Sequence, residues 1–260
     1  MSTTYALLLV GLGMFGGALS GLIGLGGGIV MVPLLLYFPP LFGVPTLGMK
    51  AVAGMTTVQS FTGGLFGAIG HNRFQRVNLP LAVSVGAPMA ATALVTSRLS
   101  QQAPEEWLLA TFAAMAAVAG VLMFLVRQRN EPGETSQPTF SRMRAIVLGV
   151  LIGALSGFIG QGGAFLYIPA MLVFLALPTR VTIGSALLVG VMSSTGVLIG
   201  RLGTGQIPWR ETLFLVVGVI IGARLGSNIS QRIPHRNLHQ LLTLIIVATT
   251  LKIGYDLLSV

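Results

Sequence analysis

The feature that most constrains this 260-residue chain is a succession of apolar runs, most of them about 20 residues long, separated by short breaks that hold almost all of the charge. At about 1.5 Å of rise per helical residue, such a run crosses the hydrocarbon core of a bilayer. The runs fall at 5–23, 29–42, 48–70, 78–98, 106–127, 144–160, 164–177, 181–200, 209–229 and 237–258. Those at 29–42 and 164–177 are too short to span. Only 8% of the residues are charged and 53% are hydrophobic, against roughly 25% charged in soluble domains, so a soluble fold has nowhere to put this apolar surface. The expected fold class is an all-α integral membrane protein, multi-pass in the cell (inner) membrane, with the lipid bilayer as its solvent.

Fifteen basic residues against six acidic ones give a net charge of +9. In a soluble protein that excess would raise the question of nucleic acid. Here the basic residues flank apolar runs, where the cytoplasmic bias of Lys and Arg and the attraction of anionic lipid account for them, so no nucleic-acid partner is expected. The absence of cysteine excludes disulfides, thiol chemistry and cysteine-ligated metal. Residues Met1 to Tyr5 lack a basic n-region, and the Gly-studded run from Ala6 outlasts a signal peptide; the first segment is expected to be retained.

The longest polar stretch, Arg127 to Arg144, is rich in Pro, Gly and charge and divides the chain near its middle. Across it the sequence repeats. Gly17 to Phe38 and Gly153 to Phe174, offset by 136, agree at 12 of 22 positions, where shared composition alone would give about two or three. Pro33 aligns with Pro169, and weaker matches follow at Gly54 with Gly184 and Gly86 with Gly218. The expected organisation is a first membrane repeat over 1–127, a polar cytoplasmic linker over 128–143 and a second repeat over 144–260.

In each half the first apolar stretch is interrupted by glycines, at Gly24–Gly28 and at Gly160–Gly163. If each interrupted stretch is a re-entrant hairpin, three full crossings remain per half and the halves are inverted. One face then carries Arg73, Arg76, Arg127, Arg129, Arg142, Arg144, Arg180, Arg224, Arg232 and Arg236, and the other Lys50, Arg98, Arg201, Arg210 and Lys252. If each crosses fully instead, the split weakens to 9 against 6, so the positive-inside rule favours inversion with a cytoplasmic linker.

Glycine breaks at matching positions of two halves point to a transporter binding site, because they expose backbone N–H groups and helix N-termini at membrane depth. They also serve simply as turns and close contacts. The rows Gly13, Gly17, Gly21 and Gly149, Gly153, Gly157, spaced by four, place a smooth strip on one helix face and are assigned to packing, as are Gly222 and Gly226. Gly11, Gly13 and Gly16 satisfy G-x-G-x-x-G without any βαβ context, which removes a dinucleotide reading.

Polar residues within the segments cluster at Thr56, Thr57, Gln59 and Ser60 in the first half, and at Gln161, Ser185, Ser193, Ser194 and Thr195 in the second. They either line a path or bond helix to helix. Lys50 and Arg224 either pair with an anionic ligand or snorkel to the interface. All six carboxylates, Glu105, Glu106, Glu131, Glu134, Glu211 and Asp256, fall at segment ends or in the linker, which argues against a proton relay or cation path and suits an anion. His235 and His239 share a helix face without a third ligand, so no metal site is expected. No nucleophile–base pairing or paired carboxylates can be assembled, and an enzyme is not expected.

The two copies of Gly-Ala-Leu-Ser-Gly-x-Ile-Gly-x-Gly-Gly, each followed by Pro33 or Pro169, and the stretch Gly218 to Gly226 resemble the sulfite exporter TauE/SafE family over nearly the whole chain. That resemblance implies a two-repeat permease moving sulfite, sulfoacetate or related organosulfonates, and places Gly24, Gly26, Gly27, Gly28, Gly160, Gln161, Gly162 and Gly163 in the site region. Where the second copy has Gln161 and Ser185 the first has Leu25 and Met55, so the second half is expected to supply more hydrogen bonds. The functional expectation is a secondary transporter of a small anion by alternating access, as monomer or homodimer, with no cofactor and with the two broken helices meeting near the midplane. The alternatives are a non-transporting membrane scaffold or assembly factor, and a cation-coupled importer of a neutral solute.

Overall fold

A computed structural model describes residues 3–23, 28–70, 78–127, 140–160, 163–177 and 179–230. Among them the chain is all-helical: α1 (Thr3–Ile23), α2 (Gly28–Tyr37), a 3-10 turn (Pro39–Phe42), α3 (Met49–Gly70), α4 (Leu79–Leu99), α5 (Glu105–Arg127), α6 (Arg142–Ile159), α7 (Ala164–Phe174), α8 (Thr179–Arg201) and α9 (Trp209–Ser230). The expected segment at 237–258 and the centre of the linker lie outside the described residues.

Six of these helices are long and apolar enough to cross a membrane: α1, α4, α5, α6, α8 and α9. Their outer faces carry the exposed large hydrophobics, among them Leu7, Phe15, Val121, Phe124, Leu151 and Val217, which is the surface a lipid solvent requires. The interior takes the polar side chains instead, including Thr56, Thr57, Gln59, Ser185 and Ser193. α3 has 22 residues yet is not among the six, because its middle holds that Thr56, Thr57, Gln59, Ser60, Thr62 series. It is shielded from lipid by α1, α2, α5, α8 and α9, all of which it touches.

Helix directions follow from close contacts. Gly13, Gly17 and Gly21 of α1 face the backbone of Leu215, Val219 and Ala223 in α9, so these two helices run parallel. Gly149, Gly153 and Gly157 of α6 face Val85, Met89 and Ala93 in α4, again in parallel. A Cβ at any of these six glycines would overlap a carbonyl oxygen of the facing helix. The strip read from the sequence as packing is thus a backbone-to-backbone seam, and Gly218, Gly222 and Gly226 return the contact to Val10, Met14 and Ala18.

The ends of the bundle can be assigned in the same way. α5 ends and α6 begins beside the linker. At the opposite end, the Glu105 carboxylate accepts a 2.8 Å hydrogen bond from Met49 N, and Lys50 Nζ donates to Gln101 O at 2.9 Å, which brings the start of α3 to the α4–α5 loop. A side chain on Gly48 would crowd that carboxylate. Arg201, the last residue of α8, donates to Phe158 O in the last turn of α6 at 3.1 Å. So α1, α3 and α9 run toward the linker end, whereas α4, α6 and α8 run away from it. The segments paired by the duplication, α1 with α6, α3 with α8 and α4 with α9, therefore point in opposite directions.

Two outcomes are expected. Gly17→Leu or Gly153→Leu, each forced against facing backbone, should lower the stability of the purified protein by about 1–3 kcal/mol or prevent folding, whereas Gly11→Leu, with nothing within 4 Å, should leave its thermal unfolding unchanged. Glu105→Ala should cost about 1 kcal/mol, because Met49 N loses its carboxylate cap.

Candidate functional site

Each glycine break reverses the chain. In the second half α6 ends at Gly160 with φ 87°, its N–H bonded to Ser156 O, and α7 starts from Gly163 with φ 65°. Both angles lie in the left-handed region that glycine occupies without strain. Gly163 sits against Ser156, Met89 and Ile152, so α7 doubles back along α6. In the first half Met31 of α2 lies against Gly16 of α1, which requires the same reversal. Gly24, Gly26, Gly27, Gln161 and Gly162 lie outside the described residues; Gly28 is the buried first residue of α2.

The polar series on α3 touches both hairpins. Thr57 Oγ1 stands 2.7 Å from Ala53 O in its own helix and 2.6 Å from Gly160 O. A side chain on Gly160 would overlap Ala53 O, so the approach depends on the glycine. Two helical residues further on, the Gln59 amide lies against Gly16, which Met31 of α2 also touches, and Gly63 faces the Ser20 hydroxyl near the end of α1. Ser20 Oγ is buried with no hydrogen-bond partner.

These contacts separate the breaks along the bundle. Gly157, one turn before the second break, lies level with Ala93, near the end of α4 away from the linker. Gly21, just before the first break, lies level with Ala223 and Ser227, at the linker end of α9. The short helices α2 and α7 that follow the breaks touch each other. The predicted residues thus form two clusters, Thr57 with Gly160 and Gln59 with α1 and α2, instead of one ring of donors.

The remaining predicted residues are more dispersed. Ser185 Oγ accepts from Asn78 N at 3.1 Å and ties the start of α8 to the N-cap of α4. Thr56 and Ser194 bond back to carbonyls one turn earlier in their own helices, Val52 and Gly190. Ser193 Oγ is buried with no hydrogen-bond partner. Lys50 is held at the α4–α5 loop, and Arg224 is exposed with its guanidinium 5.5 Å above the Phe66 ring. Tyr167 of α7, not singled out in the sequence, is fully buried; its hydroxyl donates to Ala186 O at 2.7 Å and fits over Gly190.

By sequence Arg201 falls on the loop face that also carries Lys50, Arg98, Arg210 and Lys252. The structure buries it to 1% exposure. Its guanidinium donates to Gln206 Oε1 and to Phe158 O and Gly157 O, all neutral oxygens. Sequence position alone hides this, because the residue ends an apolar run where a snorkelling cation is ordinary; the clue was the following Gly-Thr-Gly-Gln turn, short enough to fold back over it.

Comparison with known proteins matches residues 9–253 to the family described as sulfite exporter TauE/SafE. The chain is 23% identical over 267 residues to the probable membrane transporter protein YunE of Bacillus subtilis, covering 96% of this chain and 97% of that one. It is 29% identical over 261 residues to a probable membrane transporter protein of Xylella fastidiosa, covering 97% and 96%, and 24% identical over 265 residues to one of Haemophilus influenzae, covering 94% and 97%. No solved structure matches. With a family match running almost from end to end, on an all-helical chain with six membrane-crossing helices, this protein belongs to the sulfite exporter TauE/SafE family of membrane transporters.

Proposed function

We propose that this chain is a secondary transporter that exports a small sulfur-containing anion, such as sulfite or an organosulfonate of the sulfoacetate type, by alternating access. The observation that carries the reading is the pair of glycine-broken hairpins, one in each half, whose short helices enter from opposite ends of the bundle and touch in its interior. The opposite directions of α1 and α6, α3 and α8, and α4 and α9 fit inverted repeats over 1–127 and 144–260, the arrangement in which one half rocks against the other around a central site. Basic residues at the linker end, Arg127, Arg142, Arg144 and Arg180 in the described helices, fit a cytoplasmic linker.

The N-termini of α2 and α7 each carry the positive pole of a helix dipole, which favours an anion. The described carboxylates, Glu105, Glu106 and Glu211, all lie in the first turns of α5 and α9, so none opposes negative charge at depth. The family description names sulfite export. Neither a cofactor nor a catalytic group enters this reading.

Purified protein in proteoliposomes should carry sulfite, thiosulfate or sulfoacetate faster than empty vesicles and saturably, and should not carry taurine or a neutral control. Flux no higher than in empty vesicles for all three anions would remove the reading. Thr57→Val deletes the hydroxyl shared with Gly160 O and should cost about 1 kcal/mol and slow flux, while Thr57→Ser retains both.

A further inference from the structure

We propose that Arg201 and Gln206 form an occluded binding site for a small oxyanion at the end of α6, next to the second glycine break. The inference rests on the reading of this protein as an anion transporter and names the groups that hold the charge.

Bond counting around the guanidinium shows a surplus of donors. Gln206 Oε1, Phe158 O and Gly157 O are each engaged by Arg201 Nη1 or Nη2. Arg201 Nε and Gln206 Nε2 remain, both buried and both without a hydrogen-bond partner. The two residues are 1% and 7% exposed. An unpaired buried donor is costly, and more so when it belongs to a charged group. A buried guanidinium without a counter-charge is costlier still. The negative pole of α6, whose last carbonyls it meets, offsets only part of that, since a helix end carries roughly half a charge.

One guest meets all these demands: a species bearing negative charge and at least two acceptor oxygens, one for Arg201 Nε–H and one for the Gln206 amide. Sulfite, a sulfonate and a carboxylate share that chemistry. A water molecule accepts hydrogen bonds but leaves the charge uncompensated. A halide compensates charge but offers no fork of oxygens for a planar guanidinium.

The surroundings suit a gated site. Gln206 O and Ile207 Cα pack on Gly54 of α3, one turn from Thr57, which in turn reaches Gly160 at the break. Above the pair, the turn from Leu202 to Pro208 contains Gly203 and Gly205, with φ 79° and 73°, and a Cβ at either would meet no atom within 4 Å. The open space at Gly203 and Gly205 gives this part of the turn room to shift, with Gln101 Nε2 to Thr204 O at 3.0 Å as the contact it would release to admit a ligand.

The test uses full-length protein in detergent, unfolded by heat in sulfite, methanesulfonate or acetate, with chloride at equal ionic strength as control. Wild-type protein should be stabilised by at least one oxyanion and not by chloride. Gln206→Glu supplies Arg201 with a built-in carboxylate: its unfolding temperature without ligand should equal or exceed that of wild type, while the oxyanion shift disappears and apparent affinity falls roughly tenfold or more. Arg201→Gln should lose the shift too. If Gln206→Glu does not fold, Gln206→Met, which removes the amide donor and retains the cation, should show the same loss. Arg201 serving only to cap α6 predicts that Gln206→Glu keeps the full oxyanion shift, and that result overturns the site. An equal shift in chloride, or no shift in wild type with any of the three oxyanions, also overturns it. Transport stands or falls separately on proteoliposome flux: flux that persists unchanged in Gln206→Glu would leave the transporter reading in place and remove this site.

Discussion

Everything in this bundle depends on the absence of water around it. A peptide group facing hydrocarbon must find its partner within the protein, so regular helices form the perimeter and irregular backbone is admitted only inside. Gly160, at the second break, obeys that rule by lying against Ala53 of α3. The seams between α1 and α9, and between α6 and α4, are what make such an interior possible with so few side chains. Rows of glycine let two backbones meet directly, and dispersion contacts plus shape replace the hydrophobic drive that lipid does not provide.

That arrangement explains which parts of the structure the sequence announces and which it conceals. Apolar runs and their breaks are one-dimensional signals, and the helices follow them closely: the run at 78–98 becomes Leu79–Leu99 and that at 209–229 becomes Trp209–Ser230. The glycine strip was legible because a spacing of four is a helical face. Relations between distant residues leave no such trace. Nothing in Thr57 distinguishes it from Thr56, yet one bonds across 103 positions to Gly160 and the other bonds within its own helix. Arg201 and Lys50 look alike as cations at segment ends, but one is enclosed by a returning turn and the other reaches a loop carbonyl. Depth in the bundle, which decides whether a charge is costly, is a property of the assembled helices rather than of any segment.

The two halves also diverge in a chemically directed way. Where the first presents Leu25 and Met55, the second has Gln161 and Ser185. Arg201 and Gln206 belong to the second half as well. Both halves thus keep glycine rows and buried polar side chains, but the buried cation Arg201 belongs to the second alone among the described residues.

The Tyr167 hydroxyl has a mechanical consequence. By joining α7 to Ala186 O across nineteen residues, with Gly190 leaving room for the ring's edge, it fastens the short helix onto the long one like a splint. Displacing α7 alone would strand a phenol in a dry interior, so this one bond makes α7 and α8 a single rigid piece.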